Sequence, residues 1–315
     1  MIFKFSPEDL CPCESGRQIK CCCLRNDGSL RPRQVRTHPP LPRTGYSHKR
    51  CYAALLNDCS TRISGEHTLS HAVLKELSPT GIIEVSGLGD KAPDEYTSVR
   101  ASEFVSNVLC ERHNNALSPL DVIGHRFFKS FKNINADLLN KTGVPQNCSY
   151  LFNGHDIERY ILKALCGDGF ANKMRGEQER IKGWSPSVKW LRILYGLDEF
   201  PVGWGLYLSS TPEETIHLDE HTLGLMPVMK NGEELCGAKF KILGVELELL
   251  MITPHPQQHR YGENCRYRPN GISFSDGRAY QTIMFGWDIR GQGGTLPIEY
   301  PLLKAHRTQT QDKLQ

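Results

Sequence analysis

Apolar residues recur at three- and four-residue steps beyond residue 118, which is the spacing of one face of a helix. Charged side chains fall on the opposite side of the same segment. The apolar positions are Leu120, Ile123, Phe127, Phe131, Ile134 and Leu138, and the charged ones are Arg126, Lys129 and Lys132. Ser118, Pro119 and Asp121 match a capping box with proline at the first helical position. The pattern predicts an amphipathic helix that begins at Ser118.

A second helix is predicted near the middle of the chain. Its apolar positions start close to Asp156, and Gly167 has the residue type that commonly closes a helix in the left-handed conformation. The sequence therefore predicts that this helix ends at Gly167.

From about Pro201 the apolar period changes to two, which is typical of strands with one buried face. In the segment 244–252 the alternation predicts that Glu246 and Glu248 point outward. Asn231-Gly232 and Asp276-Gly277 have the composition of hairpin turns. These features predict three to six antiparallel strands in the C-terminal part. The residues after about 303 are polar and are predicted to be a frayed tail.

The composition indicates a folded chain without a membrane span. The chain has 315 residues, of which 39% are hydrophobic and 23% charged, enough for one or two buried cores and unlike a disordered protein. It contains no run of about 18 apolar residues, and its first residues lack the apolar stretch of a signal peptide. We therefore expect a cytoplasmic protein with no membrane partner.

The charge is unevenly distributed. Residues 1–50 carry a formal charge of +6, against −3 for the remainder, although the whole chain is only +3. A basic leader on a nearly neutral body suits a polyanionic partner, but charge alone favours a solvated tail equally. Within this leader, residues 31–50 hold four prolines and are predicted to be an extended linker.

The first of two cysteine constellations lies in the string CPCESGRQIKCCC. Without a secretion signal, clustered thiols indicate metal ligands before disulfides. Cys11, Cys13, Cys22 and Cys23 can close a tetrahedral zinc site; the alternative is an adventitious cysteine-rich tail. The string resembles the SEC-C zinc motif, in which Glu14 stands where glycine is usual. The resemblance implies a structural or docking module that could bind a protein partner.

A second set of thiols predicts another zinc site. Cys51 and Cys59 form one ligand pair, and Cys110 and His113 form another at the spacing of a zinc knuckle. Together they predict a Cys₃His site, with His48 or His38 as alternatives to Cys51. The candidate catalytic residues lie between these two ligand pairs and directly after the second pair.

The order Glu66-His67, Asn107, Cys110-x-x-His113-Asn114 resembles HNH endonucleases of the ββα-metal class. That resemblance implies that His67 is the general base and that Asn107 orients His67 or the loop. It also implies that Glu66 and Asn114 hold a catalytic Mg²⁺ or Mn²⁺, because hard cations prefer oxygen ligands.

Other residues near this motif have two interpretations. His71 could join the metal site, but a histidine on a helix surface is the commoner case. Asp121 could also bind the metal, but the capping box accounts for it. Arg126, Lys129 and Lys132 on the polar side of the predicted helix are expected to contact DNA phosphates, with double-stranded DNA as the partner.

The sequence thus predicts an α+β protein with an SEC-C zinc finger, a treble-clef or ββα-metal HNH core with helices, and a C-terminal antiparallel β-rich domain. The expected domains are an SEC-C motif at 1–30, a linker at 31–50, a nuclease core at 51–135, a helical region at 136–200, a β-rich domain at 201–303 and a tail at 304–315.

The expected function is metal-dependent cleavage of DNA, with two structural zinc ions and a catalytic Mg²⁺ or Mn²⁺. By analogy alone it would serve phage defence or a mobile element. The alternative is a non-catalytic protein, stabilised by zinc, that binds nucleic acid or docks a partner.

Overall fold

The protein is a mixed α+β structure. The computed structural model describes residues 5–78, 80–86, 95–139, 148–175, 180–209, 222–242, 245–254, 265–275, 280–288 and 295–299. Within these residues the chain forms the helices α1 (His71–Leu77), α2 (Glu111–Leu139), α3 (Gly154–Phe170) and α4 (Val188–Leu194). None of them is long and apolar enough to cross a membrane.

Three sheets accompany the helices in the described part of the chain. The strands of the first half are β1 (Ile63–His67), β2 (Ile82–Ser86), β3 (Thr97–Arg100), β4 (Val105–Cys110) and β5 (Cys148–Asn153). Those of the second half are β6 (Gly205–Ser209), β7 (Thr222–Lys230), β8 (Glu234–Ile242), β9 (Val245–Leu250), β10 (Cys265–Tyr267), β11 (Gly271–Ser275), β12 (Tyr280–Gly286) and β13 (Thr295–Glu299).

The C-terminal strands join strands from earlier in the chain. The larger sheet has the order β10-β6-β9-β8-β7-β2-β3, and a four-stranded sheet has the order β13-β11-β12-β5. Pairing is antiparallel from β10 through to β7, as the alternation predicts, but β13 is parallel to β11, β5 to β12 and β2 to β7. The expectation of a purely antiparallel region is therefore wrong. Within the described residues, eight strands follow residue 201, more than the three to six expected.

One of the two predicted hairpin turns lies within the described residues. Asn231 and Gly232 join β7 to β8 with positive φ values of 53° and 77°, which confirms the predicted hairpin. Asp276-Gly277 lies outside the described residues, as does the predicted tail.

The outward orientation expected for Glu248 is wrong. Glu246 is partly exposed and pairs with Lys239 at 2.7 Å, but Glu248 is only 2% exposed. Glu248 lies between its cross-strand partners Tyr207 of β6 and Lys239 of β8, whose side chains share its face of the sheet. An alternating pattern identifies the buried face, but it does not show what covers the opposite face.

A strand–strand–helix unit is formed by β1, β4 and α2. β1 and β4 pair antiparallel, and α2 begins at the residue after β4. The Glu111 amide donates to the Arg62 carbonyl at 2.9 Å, which fixes the start of the helix against β1. About forty residues, including α1, β2 and β3, are inserted between the two strands.

Helix α2 begins at Glu111, so the predicted capping box at Ser118 is wrong. Pro119 lies inside the helix, where it cannot donate to the Asn115 carbonyl four residues earlier. The Ser118 hydroxyl donates to that carbonyl instead, at 2.9 Å. This bond compensates for the missing amide, and the helix continues through the proline.

Helix α3 extends beyond both predicted ends. Asn153 caps its start by accepting from the His155 amide at 3.0 Å, and the helix continues to Phe170. Gly167 is an internal helical residue, so its predicted role as the terminating residue is wrong. It is required for packing, because a Cβ there would lie 2.7 Å from Thr68 Cγ2, just after the end of β1.

A buried ion pair joins α3 to the large sheet. Glu158 of α3 accepts from the Leu206 amide at 2.9 Å and from Arg268 Nε at 2.8 Å, and neither charged side chain is exposed. His155 contributes a further contact at 3.0 Å. These bonds satisfy a carboxylate that would otherwise be costly to bury.

The N-terminal segment packs on this body. The Leu151 amide donates to the Pro12 carbonyl at 2.9 Å, and Ile19, Cys11 and Leu151 form a small apolar cluster. Residues 31–50 form no helix or strand, as expected of a linker. This segment nevertheless contacts the rest of the protein, since Arg31 forms an ion pair with Asp288 at 2.6 Å.

Candidate functional site

Four residues from the start of the strand–strand–helix unit converge on one buried point. Cys51 and Cys59 come from the loop before β1, Cys110 ends β4, and His113 lies in the first turn of α2. All four are buried, and their ligand atoms lie within 4.8 Å of one another. The structure therefore brings together the predicted Cys₃His set, with Cys51 and neither alternative histidine in it.

The spacing of these atoms fits a tetrahedral zinc ion. His113 Nδ1 lies 3.5, 3.7 and 3.3 Å from the sulfurs of Cys51, Cys59 and Cys110. Zinc bonds of about 2.3 Å to sulfur and about 2.0 Å to nitrogen place such ligands roughly 3.6 Å apart. The cluster could hold zinc without rearrangement.

Polar contacts support this cluster from outside. The Ser60 amide donates to Cys110 Sγ at 3.3 Å. The neighbouring Cys51 and Cys59 thiols lower the pKa of Cys110 by hydrogen bonding, which favours a thiolate there. Arg112 is held by Asp58 at 2.9 Å and by the carbonyl of Pro42 in the linker at 2.9 Å. The site is thus tied to both the helix and the linker.

The second cluster lies in the N-terminal segment. Cys11, Cys13, Cys22 and Cys23 also bring their sulfurs within 4.8 Å of one another. Burial would raise the pKa of Cys22, but hydrogen bonds from the Ser15 hydroxyl and the neighbouring thiols lower it to about 7. This set could likewise hold zinc, as its sequence predicts.

Glu14, which follows the first two cysteines, lies in the turn of this cluster and links it to α2. Glu14 adopts a left-handed φ of 59°, a conformation that favours glycine. Its carboxylate accepts from Arg126 Nε at 3.2 Å, and Arg126 also donates to the Cys13 carbonyl at 2.6 Å. The glutamate thus anchors the cluster to α2, a contact that glycine could not make.

A cavity of about 480 Å³ opens between β1, α1 and α2. Its polar lining includes Glu66, His67, His71, Asn114, Asp121 and His125. β1 is irregular between Ser64 and Glu66, where its register with β4 shifts. The extra residue of this bulge lies on β4, before the regularly paired Glu66 and His67, and both of these residues border the cavity.

His67 stands at the end of β1, half-buried in the cavity wall. Burial lowers its pKa below the usual value, and the adjacent His71, with a ring centroid 5.3 Å away, acts in the same direction. A lowered pKa keeps the imidazole neutral at neutral pH, the form that can accept a proton.

Asn114 and Asn107 differ in their relation to the cavity. Asn114 lines it and donates its amide to Ser64 Oγ at 2.9 Å, which leaves the carbonyl oxygen for another partner. Asn107 is an exposed residue of β4, not of a loop, and it is not part of the lining. Its oxygen lies beside Gly65, where an added Cβ would be 3.8 Å away.

Glu66 carries a partner that the motif did not indicate. Lys163 of α3 places Nζ 2.6 Å from Glu66 and 2.5 Å from Asp121. Burial outweighs this ammonium and raises the pKa of Glu66 to about 7. The two carboxylates in turn outweigh the burial of Lys163 and raise its pKa. The available sequence signal was one lysine within an apolar helical stretch.

The predicted phosphate contacts are engaged to different degrees. Arg126 holds the N-terminal cysteine cluster, and Lys132 pairs with Glu76 at 3.3 Å. Lys129 is exposed on the same helix. In the leader, Arg33 and Arg36 are exposed as well. Of the three cations predicted on α2, only Lys129 is exposed.

No protein-family model matches the chain, and neither a curated protein nor a solved structure matches it significantly.

Proposed function

We propose that the protein is a metal-dependent DNA endonuclease of HNH type. The observation that carries the proposal is the meeting of Glu66, His67 and Asn114 in one cavity, on a strand–strand–helix unit with a Cys₃His cluster at its base. These three residues follow one another in the order of the motif, and all three border the cavity. Asn107 would act indirectly in this scheme, through the backbone of β1 beside Gly65.

The proposed chemistry begins with His67. Its neutral imidazole takes a proton from water, the oxygen of that water attacks the phosphorus, the bond to the leaving oxygen breaks, and that oxygen takes a proton from a solvent water. The half-buried setting of His67 favours the neutral form. Asn114 and Glu66 border the same space and supply oxygen atoms near the reacting phosphate.

The donor set suits a hard cation. Carboxylate and carboxamide oxygens are the ligands of Mg²⁺ and Mn²⁺, which commonly keep several waters and need only one or two carboxylates. Bound there, such an ion would stabilise the negative charge that develops on the phosphate oxygens. Glu66 and Asn114 are the proposed ligands.

Zinc has a separate place in the proposal. Each of the two cysteine clusters binds one zinc ion with four protein ligands, which leaves no open position for chemistry. The Cys₃His cluster fixes the start of α2, and therefore Asn114. The N-terminal cluster is an SEC-C motif that docks on α2 through Arg126 and still offers an outer face to a protein partner.

DNA binding would depend mainly on phosphate contacts. Lys129, Arg33 and Arg36 are exposed and could neutralise phosphates, so affinity should fall steeply with salt. Double-stranded DNA in the cytoplasm is the proposed substrate, and phage defence or a mobile element is the proposed setting.

A plasmid-nicking assay tests the proposal. Zinc-loaded protein is incubated with supercoiled DNA and Mg²⁺, Mn²⁺ or EDTA. Nicking with either ion and none with EDTA is expected. Asn114→Ala should cleave poorly in Mg²⁺ and recover partly in excess Mn²⁺, since it removes a ligand and leaves His67 in place. Equal nicking in EDTA would contradict the proposal.

A non-catalytic nucleic-acid-binding protein is the second candidate. It is favoured by the 2.6 Å contact between Lys163 and Glu66, because the carboxylate expected to hold the metal already has a cationic partner. Salt-sensitive DNA binding without nicking in any metal would support this candidate.

A further inference from the structure

Asp121 is the more accessible of two carboxylates that border the proposed cation site. It lies on α2 two turns after Asn114, and its side chain is 28% exposed, against 3% for Glu66. Both residues line the same cavity. The helix begins seven residues earlier than its sequence pattern predicts, at Glu111, so Asp121 is not needed as a capping residue.

Lys163 restricts one oxygen of each carboxylate. Its Nζ contacts Asp121 Oδ1 at 2.5 Å and Glu66 Oε1 at 2.6 Å, and its side chain is 1% exposed. A carboxylate has two oxygens, so Asp121 Oδ2 remains for a ligand in the cavity. The burial of Lys163 and its two carboxylate contacts hold the ammonium between Glu66 and Asp121.

The charges determine how this group interacts with a cation. One lysine and two carboxylates carry a net charge of −1 at the wall of the cavity when both carboxylates are ionised. A divalent ion bound to Asp121 is attracted by the carboxylates and repelled by the nearby ammonium, and the burial of Lys163 and Glu66 reduces the screening of their charges by solvent. Lys163 therefore lowers the affinity of the site for the ion while holding both carboxylates in place.

We infer that Asp121 is a further ligand of the proposed divalent cation and that Lys163 is a built-in counter-charge that keeps this ion weakly bound. The inference rests on the proposed function, since it concerns the same site. A weakly held ion fits a site whose oxygen ligands must also admit a phosphate. Asp121 and Lys163 both lie outside the motif that carries the resemblance.

Mn²⁺ binding to zinc-loaded protein, measured by electron paramagnetic resonance without DNA, tests the inference. Asp121→Asn retains the size of the side chain and removes its charge. It should lower the Mn²⁺ affinity by at least about tenfold, since even indirect partners of metal ligands are worth that much. Asp137→Asn, on the same helix outside the cavity, is the matched control and should leave the affinity unchanged.

A second comparison isolates Lys163. Lys163→Met alone leaves two buried carboxylates without a counter-charge and risks misfolding, so it is combined with Glu66→Gln. Relative to Glu66→Gln alone, the double variant should bind Mn²⁺ more tightly, by at least about tenfold, because a positive charge next to the ion is gone. Unchanged or weaker binding would overturn the role of Lys163.

The outcomes separate this inference from the proposed function. Wild-type binding of Mn²⁺ that survives Asp121→Asn overturns the inference and leaves the nuclease proposal intact. Binding that Asp121→Asn abolishes, in a protein that never nicks DNA, supports the inference and contradicts the nuclease proposal. A wild-type protein that binds no Mn²⁺ overturns the inference.

Discussion

His113 and Asn114 are adjacent residues in the first turn of α2, yet they serve two different sites. His113 directs Nδ1 at three thiols, 3.3 to 3.7 Å away, whereas Asn114 lines the cavity and donates to Ser64. A structural cluster and the proposed catalytic site therefore share one turn of helix. Loss of the cluster should disturb Asn114 directly.

Cys110→Ser tests that coupling. Zinc binding is also folding energy, so we expect the loss of one of two zinc equivalents and of at least about 2 kcal/mol of unfolding free energy. Zinc content by mass spectrometry and thermal unfolding measure both effects. Cys236→Ser, a buried cysteine outside both clusters, should retain two zinc equivalents. A Cys110→Ser protein that keeps two would refute the ligand set.

Arg126 and Lys129 should behave differently, although both lie on the polar side of α2. Arg126 is bonded to Cys13 and Glu14, so Arg126→Gln should lower stability by about 1 kcal/mol and hardly alter DNA binding. Lys129→Gln should leave stability unchanged and reduce the salt slope of DNA binding by about one. Affinities measured over a range of salt concentrations distinguish the two; the reverse result would show that Arg126 leaves its bonds to contact phosphate.

The pH profile should show the lowered pKa of His67. Burial lowers this pKa first, and His71 contributes next, so His67 stays neutral below the ordinary value of about 6.5. Cleavage should therefore persist below pH about 6.5 and fall only at more acidic pH, where protonation removes the base. His71→Gln should move the acid limb of kcat/KM to higher pH. A limb that stays in place would exclude His71 as a cause.

Gly167→Ala should disturb the end of β1. A Cβ at this position would lie 2.7 Å from Thr68 Cγ2, and Thr68 directly follows His67. Overpacking of this kind costs about 1–3 kcal/mol. Thr68→Ser removes the methyl group, so the double variant should regain the lost stability in thermal unfolding. A single variant as stable as wild type would show that α3 can move away from β1.

The N-terminal cysteine cluster and each ligand pair of the Cys₃His cluster could be predicted from the sequence, because ligand type and spacing within them are local properties. The same holds for the Asn231-Gly232 turn, whose residues suit a positive φ. Pro119 misled the prediction of α2, because a side chain one residue away compensates for its missing amide. Composition alone does not show such a bond.

The position of Lys163 in the candidate site could not be predicted from the sequence. Lys163 lies in α3, which begins about forty residues after the first turn of α2. Only the packing of α3 brings the ammonium of Lys163 between Glu66 and Asp121. The parallel pairing of β5 with β12 is non-local in the same way. Contacts between distant segments depend on the whole fold, and periodicity carries no information about them.

The most direct test of the central claim is single-turnover cleavage of supercoiled DNA by His67→Ala. The account predicts a rate about 10²–10⁴-fold below wild type, the usual effect of losing a positioned base, with two zinc equivalents and an unchanged melting temperature. Excess Mn²⁺ should not restore it. His38→Ala, outside the cavity, is the control and should cleave normally. A His67→Ala protein that cleaves as fast as wild type would contradict the assignment of this site as a nuclease centre.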